Sequence, residues 1–132
     1  RLLVFLSLVL EHLAPAVELD SEDDVALQIR RLLLNRVNDR LTIPEVAREL
    51  HVSPTLAKTV FRKTYGCGIM AYFNELKIWQ SKRMLGNPSM TIDQISRTLG
   101  FSSPAYFTRT FRKLTGVTPS DFRSKRGQTG LC

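Results

Sequence analysis

Two stretches of this chain are copies of one another. Residues 42–52 align with 91–101 at an offset of 49, and residues 53–66 align with 103–116 at an offset of 50. The shared residues are Thr42/Thr91, Ile43/Ile92, Arg48/Arg97, Leu50/Leu99, Ser53/Ser103, Pro54/Pro104, Phe61/Phe111, Arg62/Arg112, Lys63/Lys113 and Gly66/Gly116. That is 10 identities in 25 aligned positions with one inserted residue, Ser102, where chance would leave about one or two. Self-similarity of this kind marks a structural unit built twice, so the fold of one copy must also suit the other.

Each copy is punctuated as a pair of helices. Thr42 with Glu45, and Thr91 with Gln94, have capping-box spacing, in which a Thr hydroxyl and a Glu or Gln side chain satisfy free amides at a helix start. A short helix follows, breaking at His51-Val52 in the first copy and at Gly100-Phe101 in the second. Ser53-Pro54 and Ser103-Pro104 then supply a cap and a first-turn proline for the next helix. Helices of about nine and twelve residues joined by a turn of about three or four make a helix-turn-helix. His51 takes the turn position of Gly100, which predicts a left-handed backbone there rather than a metal ligand.

The helical period continues around the copies. Val25, Ile29, Leu32, Leu33 and Val37 form an apolar face behind the capping residues Ser21, Asp23 and Asp24. Ile69, Tyr72, Phe73, Leu76, Trp79 and Arg83 fall on one stripe of a helix predicted over 69–85, with Trp79 in the core and a stop at Gly86-Asn87-Pro88. No alternating strand pattern occurs. The fold class is therefore all-α: two homeodomain-like, three-helix helix-turn-helix subdomains joined by a long linker helix. The division expected is 1–20 as the last helix and linker of an upstream sensor or dimerisation domain, 21–85 as the first subdomain with the linker helix, 86–126 as the second, and 127–132 as a flexible tail.

Charge separates the halves. Of 19 basic and 12 acidic side chains, residues 1–40 hold 5 and 7, leaving 14 and 5 in residues 41–132. A basic excess confined to residues 41–132, with a pI near 9.9, points to a polyanionic partner, duplex DNA before an anionic membrane surface. Cys67 and Cys132 have no partners at metal or disulfide-framework spacing, and His12 and His51 stand alone; this suits the reducing cytoplasm. No cofactor is implied. No Ser/His/Asp set, carboxylate pair, phosphate-binding Gly loop or activated Cys is present, so the chain reads as a binding module and not an enzyme. The apolar run that opens the chain is too short to span a bilayer. Leu2, Leu6, Val9 and Leu13 follow helical spacing, which favours a helix over 1–13 that packs on an upstream domain or a second copy, with a targeting segment as the alternative.

In a DNA-reading helix-turn-helix the first helix braces the second, whose outer face enters the major groove. Ile43, Val46, Ala47, Leu50, Val52, Ala57, Val60 and Phe61 supply the inner face of copy one, and Ile92, Ile95, Ser96, Leu99, Phe101, Phe107 and Phe111 that of copy two. The opposite face presents Thr55, Lys58 and Thr59 in one copy and Ala105, Thr108 and Arg109 in the other. Arg and Lys bond guanine edges, and Ala and Thr methyls meet the thymine methyl; the plainer alternative is a solvated helix face. Arg62, Lys63, Arg112 and Lys113 lie toward the helix ends, suited both to phosphates and to simple dipole complementation. Amides at the helix starts after Thr42, Ser53, Thr91 and Ser103 are further phosphate donors.

The stretch GFSSPAYFTRTFRKLTGVTPSDFR, residues 100–123, resembles the signature of the AraC/XylS family of bacterial transcription regulators. The first copy and the segment YFNELKIWQSKRML are similar to that family as well, so the resemblance spans about residues 25–126. It implies two small subdomains whose recognition helices enter successive major grooves, and RNA polymerase and a homodimer contact, through residues 1–13 or an upstream domain, as further partners. Two positions depart from the family pattern. Thr59 stands where Arg is frequent, and Lys77 replaces a frequent Arg of the linker helix, where it is expected to hold phosphate. The competing reading is a helical-repeat interaction module, against which stand the two-copy limit and the basic exposed face.

Overall fold

The computed structural model describes residues 22–129. The helix expected over 1–13, the cap at Ser21 and the last residues up to Cys132 lie outside the described residues. Among those described there are seven helices: α1 (Glu22–Asn35), α2 (Ile43–Glu49), α3 (Pro54–Tyr65), α4 (Ile69–Leu85), α5 (Ile92–Thr98), α6 (Pro104–Thr115) and α7 (Pro119–Thr129). The all-α expectation holds. α7 runs through Gly127 to Thr129, past the boundary at 126 that the glycine-containing tail suggests.

The repeat is legible at the level of backbone hydrogen bonds. At the end of α2 the Val52 amide donates to the Ala47 carbonyl at 3.0 Å and His51 to Arg48 at 3.2 Å; at the end of α5 Phe101 donates to Ser96 and Gly100 to Arg97, both at 3.0 Å. This is a Schellman cap built twice, with its left-handed residue at His51 (φ 57°) and Gly100 (φ 74°). α3 and α6 then end alike, each on a left-handed glycine, Gly66 or Gly116, whose amide returns to Arg62 or Arg112 at 2.8 Å.

The chain divides into two compact units. Among the described residues, one joins those up to Leu32 with Ile43–Ile69, and the other joins Leu33–Thr42 with those from Met70 onward. The linker helix, placed with the first subdomain in the division expected from the sequence, groups from Met70 with the second helix-turn-helix. In the first unit Ala26, Leu27, Ile29, Val46, Ala47, Ala57, Val60, Phe61 and Ile69 are buried. In the second, Ile78, Leu85, Ile95, Leu99, Phe101, Phe107 and Phe111 form one cluster, closed by Met84, Met90, Ile92, Val117 and Phe122. Its rings meet edge-on or tilted, Phe101 to Phe107 at 5.0 Å and Phe111 to Phe122 at 5.6 Å, the arrangement that aromatic quadrupoles favour.

The stripe of α4 differs from its sequence reading. Ile69, Phe73, Lys77, Ser81 and Leu85, each four residues on, are buried together with Ile78, while Trp79 is 60% exposed with the Arg83 guanidinium 5.5 Å from its ring centre. Trp79 is not core. A reading that turns every lysine outward shifts the buried row by one residue, and the tryptophan moves inward with it.

Where the second unit buries Ser96, the first has Ala47 at the equivalent position. Ser96 Oγ lies buried without a hydrogen-bond partner, a cost of about 1–3 kcal/mol for a hydroxyl stripped of water. Ser96→Ala is expected to raise unfolding free energy by about 1 kcal/mol, read as a higher urea midpoint at unchanged slope.

Candidate nucleic-acid interface

Each second helix of the repeat starts on a serine in extended conformation. Ser53 Oγ accepts from the Leu56 amide and Ser103 Oγ from the Tyr106 amide, both at 3.1 Å. The following prolines, Pro54 and Pro104, carry no amide hydrogen. Of the three amides in each first turn, one is thus absent and one is used by the cap, which leaves those of Thr55 and Ala105 as the donors for an anion. Thr91 is engaged in a full capping box, accepting from the Gln94 amide at 3.0 Å while its own amide donates to Gln94 Oε1 at 2.9 Å. Thr42 directly precedes α2 and is exposed.

The inner faces of both helices are spent on packing: Ala57, Val60 and Phe61 in α3, and Phe107, Thr110 and Phe111 in α6. The residues singled out from the sequence lie on the other side. Thr55, Lys58, Thr59, Arg62 and Lys63 are exposed, as are Ala105, Arg109, Arg112 and Lys113, with Thr108 half-buried. Thr59 donates its hydroxyl hydrogen to the Thr55 carbonyl at 2.9 Å, keeping its methyl and acceptor lone pairs for other partners.

Charge on these two helices is of one sign. Neither PTLAKTVFRKTY nor PAYFTRTFRKLT contains an acidic residue, and each carries Arg-Lys in its last turn. Dipole complementation accounts for the basic ends, but it equally favours Asp and Glu in the first turn. Their absence there, against Glu45 and Asp93 in the first turns of the bracing helices α2 and α5, is what an anion-facing surface requires.

One feature of this face escaped the sequence reading. Tyr106 is 39% exposed and Leu56, its counterpart fifty residues earlier, is 42% exposed. In the second unit Tyr106 lies beside Arg109 in an open groove of about 410 Å³, lined also by Asn74, Glu75 and Lys113, with Asn74 Nδ2 donating to the tyrosine hydroxyl at 3.5 Å. The signal that could have found it is the repeat itself, which sets a large apolar residue at the same outward position twice.

Lys77 is a correction. It is 4% exposed, and its ammonium donates to the carbonyls of Val37 at 2.6 Å, Asp39 at 2.7 Å and Leu99. All three N–H donors of a lysine are thereby used inside the second unit, and none remains for phosphate. The Phe73 ring lies 4.3 Å from Nζ. Burial lowers its pKa to about 8, a shift that the Asp39 carboxylate opposes, so the group is largely charged at neutral pH. Arg123 plays a similar part, donating to the carbonyls of Leu85 at 3.1 Å, Asn87 at 3.2 Å and Met90 at 2.6 Å, where it ties down the end of α4 and the turn after it.

Residues 46–125 match the model of a family described as a helix-turn-helix domain. Among curated relatives, the arabinose operon regulatory protein of Escherichia coli is 34% identical over 82 residues, covering 62% of this chain and 28% of that protein. The thermoregulatory protein LcrF of Yersinia pestis is 31% identical, covering 96% of this chain and 52% of its own. A crystal structure from Chromobacterium violaceum, described as a transcriptional regulator with an AraC-type DNA-binding domain, superposes with a TM-score of 0.70 at 26% identity, over 80% of this chain and 94% of that one. The chain belongs to the AraC/XylS family. It spans 28% and 52% of the length of these two curated relatives.

Within this AraC-type domain the family signature mostly describes scaffold. Gly100 and Gly116 are left-handed caps, Phe101, Phe107 and Phe111 are core, and Arg123 is an internal clamp. Tyr106, Arg109, Arg112, Lys113 and Leu114 of that stretch join a large or charged side chain to an exposed position on α6.

Proposed function

We propose that this AraC-type domain binds duplex DNA sequence-specifically, acts in the bacterial cytoplasm to regulate transcription, and works by binding and not by catalysis. The observation that carries this is the acid-free, basic outer face of α3 and α6, present twice at the same offset. Arg109, Thr108 and Ala105 read bases from α6, and Thr55, Lys58 and Thr59 from α3. Arg62, Lys63, Arg112 and Lys113 hold phosphates, with the amides that open the helices after Thr42, Ser53, Thr91 and Ser103 adding to them. RNA polymerase and a second copy of the chain are further partners in this scheme.

Four phosphate-binding cations imply that log affinity falls with log salt at a slope of about −3.6, or roughly 150-fold between 50 and 200 mM. Fluorescence anisotropy on a labelled duplex reads this slope, and Lys113→Ala is expected to flatten it by about 0.9. An affinity independent of salt contradicts the proposal.

A further inference from the structure

The second unit holds its helix-turn-helix turn from outside. Lys77 on α4 donates to Leu99, the last residue before the turn. Arg40 donates to the carbonyl of Phe101, within the turn, at 3.3 Å. Between them Gly100 lies so close to the backbone of Asn38 and Asp39 that a Cβ would come within 2.9 Å of it. The same lysine also binds Val37 and Asp39, so one ammonium locks the segment 37–40 against the turn. The turn in turn carries Phe101, whose ring packs on Phe107 and Tyr106 of α6 at 5.0 and 5.9 Å.

We propose that Lys77 is a positioning residue for base recognition: without touching DNA, it sets the turn from which α6 departs and hence the attitude at which Arg109 is presented. This rests on the reading of α6 as a base-reading helix. Three carbonyls converging on one buried cation leave little freedom, because moving any of them strands a charge or a carbonyl without a partner. Lys77 lies outside both aligned segments, so the clamp is not part of the repeated sequence. It is an addition from α4 to the second helix-turn-helix.

The test uses a duplex enriched by this chain from a random-sequence pool and a scrambled duplex of the same length. Lys77→Met removes the ammonium at nearly constant stem volume; Lys77→Arg restores a cationic donor; Arg40→Ala releases the turn from an exposed position. Enrichment of no sequence by the unaltered chain overturns the base-reading scheme itself. Given enrichment, Lys77→Met is expected to lower the ratio of specific to scrambled binding about tenfold or more, with scrambled affinity at low salt within about twofold. Lys77→Arg recovers most of the ratio. A ratio unchanged in Lys77→Met, with only the melting temperature lowered, overturns the proposal. If Lys77→Met fails to fold, Arg40→Ala decides: a fall in the same ratio supports the clamp, and an unchanged ratio refutes it.

Discussion

Arg109→Ala is expected to cost about 1–3 kcal/mol of discrimination at one base pair, a roughly 5- to 150-fold narrowing between the preferred base and its competitors. Arg109 is exposed on the middle of α6, one turn after Tyr106, with Phe107 and Phe111 anchoring the helix from beneath. A planar guanidinium with a fork of donors matches the O6 and N7 of guanine. Neutral alanine removes that match and leaves in place the neighbouring Arg112 and Lys113, which we propose hold phosphate. The variant should therefore bind many sequences with similar strength and keep most of its salt slope. A panel of duplexes varied one base pair at a time measures this, and a uniform weakening across the panel would move Arg109 to the phosphate-binding set.

Gly100→Ala is expected to destabilise the chain by about 2–5 kcal/mol, combining a left-handed alanine with a backbone collision. Gly100 has φ 74°, and its added Cβ would lie 2.9 Å from both Asn38 O and Asp39 C, atoms that no rotamer change can move. Gly116 supplies the control. It has φ 88° but nothing within 4 Å of an added Cβ, so Gly116→Ala costs only the conformational penalty of about 1–2 kcal/mol. Chemical denaturation of the two variants separates the terms. Equal losses would mean that the segment 37–40 yields to the turn without cost.

The contrast between these two glycines shows what the sequence makes legible. Capping and turn chemistry is local, so Ser53-Pro54, Thr91-x-x-Gln94 and the left-handed His51 were readable from residues within a few positions of one another. The outward face of each recognition helix follows from the same local period. Lys77 and Arg123 were not readable, because their carbonyl partners lie 22 to 40 and 33 to 38 residues away in the chain and nothing in a lysine or arginine announces that it points inward. The exposure of Trp79 follows from the same cause, since the buried row of α4 runs through the lysine. Leu33–Thr42 groups with the second unit, and Lys77 ties Val37 and Asp39 of that segment to it across 40 and 38 residues.

The proposed scheme gives the two copies unequal parts. Arg109 stands where the first copy has Thr59, and Lys77 clamps the second turn. Selection of binding sites from a random duplex pool, sequenced after several rounds at low and at near-physiological salt, tests the central claim most directly. The expected result is an enriched motif with its strongest base preference in one element, assigned to α6 by its loss in Arg109→Ala, and a weaker second element about ten base pairs away. A pool that remains random while total binding stays high would mean that α3 and α6 hold only the phosphate backbone, and would contradict sequence recognition by this chain.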